Sequence, residues 1–225
     1  MLRFSANLSF LFLDRPFLER FEAAAACGFK GVEFHFPYAF PADELRDAAR
    51  RAGVEVVLFN FPPGDWAAGE RGIACLPDRI AEFRDGVELA ARYAEALDCP
   101  RLNCLAGRRP ADCSEPLVAT TLVDNLRHAA DALAPAGREV LTEPLNSRDT
   151  PGFYLDRTAP ALALLAAVVM GGIGADPENV LLMKQTADRL FGKDYVWSLF
   201  AAGRQQMPFV TMGAVMGANV RVGLE

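Results

Sequence analysis

Histidine, the commonest ligand of transition metals, is nearly missing from this chain. Only His35 and His128 occur in 225 residues. A multi-histidine centre is therefore excluded, and any metal must rest mainly on carboxylates. The five cysteines, Cys27, Cys75, Cys99, Cys104 and Cys113, are odd in number, scattered and without a CxxC pair. That usage reads as reduced thiols in a cytoplasmic protein, not as a disulfide framework. A block of basic residues is also missing, and the formal net charge is −6, which argues against a nucleic-acid partner. Neither GxGxxG nor a P-loop is present, so no nucleotide fingerprint is read, and GxSxG and a credible Cys–His arrangement are absent too. The start, Met1-Leu2-Arg3, runs into strand-like sequence with no small-residue cleavage site, so no signal peptide is expected. The longest uncharged stretch, 158–175, only reaches the lower length limit for a membrane span. Pro160 near its start and Gly171, Gly172 and Gly174 near its end favour a buried helix running into a strand, and no membrane partner is expected.

Apolar residues, by contrast, are plentiful at 52%, ample for a sizeable core, and the chain's 225 residues fit one large domain or two small ones. Strand-like runs at 3–11, 31–38, 54–61, 101–107 and 139–143 alternate with helical patterns at 17–27, 41–51, 77–97 and 114–134. The repeat has the size of a βα unit, and such alternation implies a parallel sheet with helices outside it. A helix at 159–167, a sixth strand at 168–175, a helix at 177–190, a seventh strand at 195–203, a helix at 204–216 broken around Pro208, and an eighth strand at 219–225 complete the pattern. Eight strands favour one closed (β/α)8 TIM barrel over residues 1–225, in place of an open doubly wound sheet. No helix follows the eighth strand. Each apolar side chain left uncovered there costs about 1.5–3 kcal/mol, so either a partner copy covers the gap, making a homo-oligomer an open expectation, or the chain is a truncated product.

The chain is organised around 139–157, EVLTEPLNSRDTPGFYLDR. The short apolar run at Val140 and Leu141 ends in Thr142 and Glu143, Pro144 stops any helix, and a polar loop follows. A buried barrel strand delivers a carboxylate to the mouth of a site in this way. Equally open at this point is Glu143 as a helix cap, or as the partner of Arg148 or Arg157. Further polar groups fall at expected strand ends or in the loops beyond them: Asn7, Glu33, His35, Asn60, Asp65, Glu70, Asn103, Asn146, Arg221 and Glu225. Glu33 and His35 are two apart on one strand and share a face, which suits metal ligation or a proton relay, or else a core histidine hydrogen-bonded by Glu33. Glu143 and Glu225 are an acid–base pair if they face each other across the barrel, while Glu225 is otherwise a frayed terminus. The loop after the third strand, with Gly64, Trp66, Gly69, Glu70 and Gly72, is long enough for a lid.

The stretches RFSANLSFLF, FLERFEAAAACGFKGVEFHFPYAF, LFNFPPGDWAAGERGIACLP, DNLRHAADALAP and LTEPLNSRDTPGFYL resemble the hydroxypyruvate isomerase and 2-oxo-tetronate isomerase family of xylose-isomerase-like barrels. The likeness covers residues 1 to about 167. It implies isomerisation of hydroxypyruvate, or a related small 2-oxo acid, to tartronate semialdehyde through an enediolate, with Mg2+ or Mn2+ as cofactor. It maps Glu143 onto the family's strand-five glutamate, a catalytic acid/base and metal ligand. From about Val168 onward, VMGGIGADPENVLLMKQTADRLFG and WSLFAAGRQQMPFVTMGAVMGANVRVGLE resemble instead the C-terminal part of the β-keto acid cleavage enzymes, zinc-dependent barrels that use acetyl-CoA. That likeness implies a substrate role for Arg221 and a metal role for Glu225. The chain thus reads as a chimera of two barrel families. It departs from both: the isomerases' polar ligands on strands six and seven are missing from VVMGGIG and YVWSLFAAG, and the cleavage enzymes' His-x-His on strand two is replaced by Glu33 and His35. Three readings follow: an isomerase with Glu143 and Glu225 as catalytic and metal-binding residues and its activity impaired, a zinc-dependent β-keto acid cleavage enzyme, or an inactive fusion.

Overall fold

The computed structural model describes residues 4–158, 160–161, 180–181, 184–185, 187–189, 192, 195–199 and 206–220. Two compact units are distinguished, one of residues 5–170 and one of 1–4 with 171–225.

In the first unit the alternation read from the sequence is present as five strands with four helices between them. Strands β1 (Ser5–Asn7), β2 (Gly31–Phe34), β3 (Glu55–Asn60), β4 (Arg101–Asn103) and β5 (Glu139–Leu141) pair in chain order, every pair parallel. The helices between them are α1 (Arg20–Ala26), α2 (Ala42–Ala52), α3 (Ile80–Leu97) and α4 (Glu115–Leu133). Their ends follow local chemistry. Helix α2 has Asp43 and Glu44 in its first turn and Arg50 and Arg51 in its last, each complementing the helix dipole. Gly53 then turns left-handed at φ 66° and donates its N–H to the carbonyls of Ala49 and Arg50. The strands are shorter than the apolar runs, because pairing stops where the chain leaves the sheet for the loops that carry the polar residues.

One face of the sheet packs on the helices. Ala6, Val32, Phe34, Val56, Phe59 and Leu102 belong to a single buried cluster with Phe21, Leu45, Phe83, Val87 and Leu122. Burial of each such side chain contributes about 1.5–3 kcal/mol. Between β2 and β3 the register slips: Val32 pairs with Val56 but Glu33 pairs with Leu58, leaving Val57 as an extra residue. This β-bulge puts Val56 and Phe59 on the helix side, with Leu58 and Asn60 on the other.

In the second unit, β6 (Ser198–Leu199) and β7 (Asn219–Val220) pair in parallel, and the helix Gln206–Val215 lies between them in sequence. That helix is not broken at Pro208. The proline sits in its first turn, where no intrahelical partner for its nitrogen is needed. A side chain at Gly213 would come within 2.9 Å of Val220 and 3.0 Å of Leu199, so the helix packs there at glycine distance. The expected sixth strand at 168–175 lies outside the described residues, as does part of the helix expected at 177–190. No helix among the described residues is long and apolar enough to cross a membrane.

Candidate functional site

The sheet face away from the helices is polar at its carboxyl end. In a parallel sheet, residues paired across strands point to the same side. Register pairs Asn7 with Glu33 and Asn60 with Asn103, and Asn103 with Leu141, two residues before Glu143. The ladder continues past the last strand: Cys104 donates its N–H to Leu141 O at 2.7 Å, and the Thr142 hydroxyl donates to Cys104 O at 2.9 Å. These bonds fix the chain where it delivers Glu143.

Glu143 accepts a hydrogen bond on Oε1 from Asn103 Nδ2 at 2.9 Å. The same nitrogen donates to Asn60 Oδ1 at 3.2 Å. Asn103 is 2% exposed and Asn60 6%. Both are tied by their backbones as well, since Asn60 donates its N–H to His35 O, Asn103 O accepts from Phe61, and the Tyr38 hydroxyl donates to Asn60 O at 2.8 Å. Glu143 thus ends β5 as one member of a buried polar chain across three strands. The segment after it is a loop and not a helix, so Glu143 caps none, and the side chain of Arg157 lies 3.6 Å from Asp156.

Glu33 is also buried, 9% exposed. It accepts from Ser5 Oγ and from Asn7 Nδ2, each at 3.2 Å. His35 follows the end of β2. Its N–H donates to Ser9 Oγ at 2.8 Å, and its ring meets Phe10 edge-on at 4.8 Å, with Phe36 and Trp66 beyond. Ser5, Ser9 and Tyr38, which hold these groups, were not singled out in the sequence. The alternation of small polar residues in SANLS is the signal that marks the two serines.

The loop expected as a lid is a folded structure. Trp66 stacks under the Arg71 guanidinium at 3.8 Å and packs on Phe36 at 4.9 Å. Glu70 accepts from the Asp65 N–H and from Arg79 Nη1, the latter at 2.7 Å. Gly72, at φ 101°, faces the β4 loop so closely that a Cβ there would lie 2.1 Å from Leu105 O. A Cβ on Gly107, at φ 104°, would lie 2.6 Å from Gly72 O. The two loops touch backbone to backbone, which only glycine allows.

Thiol chemistry does not belong to this site. Burial holds Cys104 protonated well above the usual thiol range and pushes Cys75 up to about 12. A cation fits only in part. Among the described residues no group of three or more His, Cys, Asp or Glu is placed to hold a metal ion, Glu143 is the one carboxylate at this end of β5, and Asn60 Oδ1 is taken by Asn103. Arg221 and Glu225, the other residues expected at the site, lie outside the described residues.

Comparison with known proteins gives this geometry a context. Residues 21–197 match the family described as the xylose isomerase-like TIM barrel. Hydroxypyruvate isomerase of Escherichia coli (strain K12) is 54% identical over 165 residues, 73% of this chain and 64% of that protein. A 2-oxo-tetronate isomerase of Cupriavidus necator is 46% identical over 168 residues, 75% of this chain and 65% of its own. The chain therefore spans less than two thirds of the length of these curated relatives. A crystal structure of an AP endonuclease, family 2, from Brucella melitensis superposes with a TM-score of 0.78 at 36% identity, covering 98% of this chain and 92% of that one.

Proposed function

From the chain's membership of the xylose isomerase-like TIM barrel family, we propose that it is an isomerase that interconverts hydroxypyruvate and tartronate semialdehyde, or a closely related 2-oxo acid. The observation that carries this reading is Glu143, delivered at the end of β5 and held by Asn103 at 2.9 Å. Its carboxylate takes the proton from C3 of hydroxypyruvate, leaving an enediolate. Return of that proton to C2, with the C3 hydroxyl proton passing to the C2 oxygen, gives the aldehyde, so nothing is gained or lost overall. Such a positioned base contributes roughly 10²–10⁴ in rate. Asn103 keeps the carboxylate in one orientation, and Trp66 with Phe36 and Phe10 forms an apolar rim near His35 that limits water around the intermediate.

A divalent cation, Mg2+ or Mn2+, is part of the proposal. Glu143 is its ligand among the described residues, and Glu225 is the second ligand and opposed acid. Bound there, the ion would polarise the substrate oxygens. A single eight-stranded barrel over residues 1–225 and a cytoplasmic location belong to the same reading. The test is turnover of hydroxypyruvate by the purified protein beside Glu143→Gln, with metal content and oligomeric state measured on both. Turnover undiminished in the variant would refute the assignment of the base. Zinc-dependent β-keto acid cleavage, with Arg221 on the substrate, requires acetyl-CoA-dependent acyl exchange. The 98% coverage by the Brucella structure raises DNA cleavage as a further reading, but a net charge of −6 repels a polyanionic substrate.

A further inference from the structure

The orientations of the two buried asparagines are fixed by chemistry, not by choice. An ionised carboxylate only accepts hydrogen bonds. Asn103 must therefore turn its Nδ2 towards Glu143, as it does at 2.9 Å. That same Nδ2 lies 3.2 Å from the Asn60 amide, which must answer with its oxygen. Asn60 is left with Nδ2, carrying two N–H donors. No acceptor among the described residues takes it, and it is not sealed from solvent, because Arg138 Nε is the only sealed and unpartnered side-chain polar atom among them. A side chain 6% exposed thus holds two unspent donors on the polar face of the sheet. Water meets such a donor until a ligand with an acceptor displaces it.

We infer that Asn60 Nδ2 binds the carboxylate of the substrate, so that Asn60, Asn103 and Glu143 form one unit: Asn60 is the anion-binding residue, Asn103 the positioning residue and Glu143 the base. This deepens the isomerase reading and rests on it. The spacing agrees. Asn103 Nδ2 lies 3.2 Å from Asn60 Oδ1 and 2.9 Å from Glu143 Oε1, so those two oxygens stand no more than about 6 Å apart. A three- or four-carbon acid laid over Asn103 reaches both head groups with a hydrogen-bond length of about 3 Å at each end. A hexose acid bound by its carboxylate at Asn60 would carry its 2-oxo carbon no nearer to Glu143 and would need room beyond it.

The probe is pyruvate, which carries the 2-oxo acid group without the hydroxyl needed for isomerisation. Its binding to the full chain is followed by saturation-transfer NMR of its methyl signal, before and after chelator treatment. Asn60→Asp keeps the shape and replaces both donors with a like charge, while Asn60→Ser removes the donors without adding charge. We expect saturable binding to the wild type, weakened at least tenfold in Asn60→Asp and less in Asn60→Ser, with KM for hydroxypyruvate rising in parallel and kcat falling less. Circular dichroism identifies a variant that has lost its fold, in which case the other variant decides. Unchanged pyruvate affinity in a folded variant, or no saturable binding to the wild type, would overturn the inference. Asn60-dependent pyruvate binding without any isomerisation would sink the isomerase reading and leave the anion site standing. Isomerisation with an Asn60-independent KM would do the reverse.

Discussion

Replacing Gly72 with alanine should destabilise the residue 5–170 unit far more than replacing Gly69, although both glycines have similar backbones. Gly69 sits at φ 94° with nothing within 4 Å of an added Cβ, and Gly72 sits at φ 101° with Leu105 O only 2.1 Å from one. Gly69→Ala therefore carries only the backbone strain, about 1–3 kcal/mol. Gly72→Ala carries that strain and must also push a backbone carbonyl away by roughly 1 Å. Overpacking of this kind adds about 1–3 kcal/mol. The extra loss for Gly72→Ala is thus about 2 kcal/mol, or ~4–8 °C in Tm for a unit of this size. The chain has two tryptophans, one in each unit, Trp66 and Trp197. In a Trp197→Phe background, fluorescence-detected urea unfolding reports on the first unit alone. Equal midpoints for the two alanine variants would mean that the two loops yield without cost, and that their close approach does not hold Trp66 in place.

Other consequences are open to simple assays. A thiol reagent at pH 8 should titrate the exposed Cys27 and the half-buried Cys113, while the buried Cys75, Cys99 and Cys104 should react only after denaturant is added; five fast thiols in the native protein would contradict the packing. Burial raises Cys75 and Cys99 from about 9 to about 12. A raised folded value means stability that is complete below the unfolded value and lost as pH climbs towards the folded one. Urea midpoints should therefore fall between pH 9 and 12, and Cys99→Ala should flatten that fall; an unchanged slope would place the alkaline loss elsewhere. Asn103→Leu should cost about 1–3 kcal/mol, because it strips a buried donor from both Glu143 and Asn60, and should lower kcat for hydroxypyruvate more than Asn60→Ser does. Gly213→Ala should unfold the second unit early, read from Trp197, since its Cβ would meet Leu199 and Val220 at 3.0 and 2.9 Å; an unmoved transition would show that the helix shifts freely.

Much of the first unit was legible because its signals are local. Apolar runs, Pro16 and Pro41 before helices, and Gly53 after one bracket the βα units within a few residues. Glu143, Asn60 and Asn103 were legible as strand-end polar residues, since an acid or amide just after a buried run has few other uses. What joins them was not. Strict alternation from Val54 puts Val56, Leu58 and Asn60 on one face, and that face packs on the helices. Only the slip at Val57 sends Asn60 to the other side, and a bulge between Val56 and Leu58 has no sequence marker. The environment of His35 was equally hidden, because Phe10 and Trp66 reach it from loops far apart in the chain. The folded state of the Trp66 loop depends on Gly72 meeting Gly107, a contact that periodicity does not encode.

The extra residue in β3 also decides which change of chain length this strand can absorb. A substitution at Val57 changes one side chain. A deletion of Val57 would restore regular pairing, keep every hydrophobic residue of the core cluster, and leave Val56 and Phe59 towards the helices with Asn60 on the polar face beside Asn103. Loss of a second residue from the strand would instead reverse the alternation and turn Asn60 towards the helices. An alignment of this strand therefore has one place where a gap is harmless, opposite the junction of Val32 and Glu33.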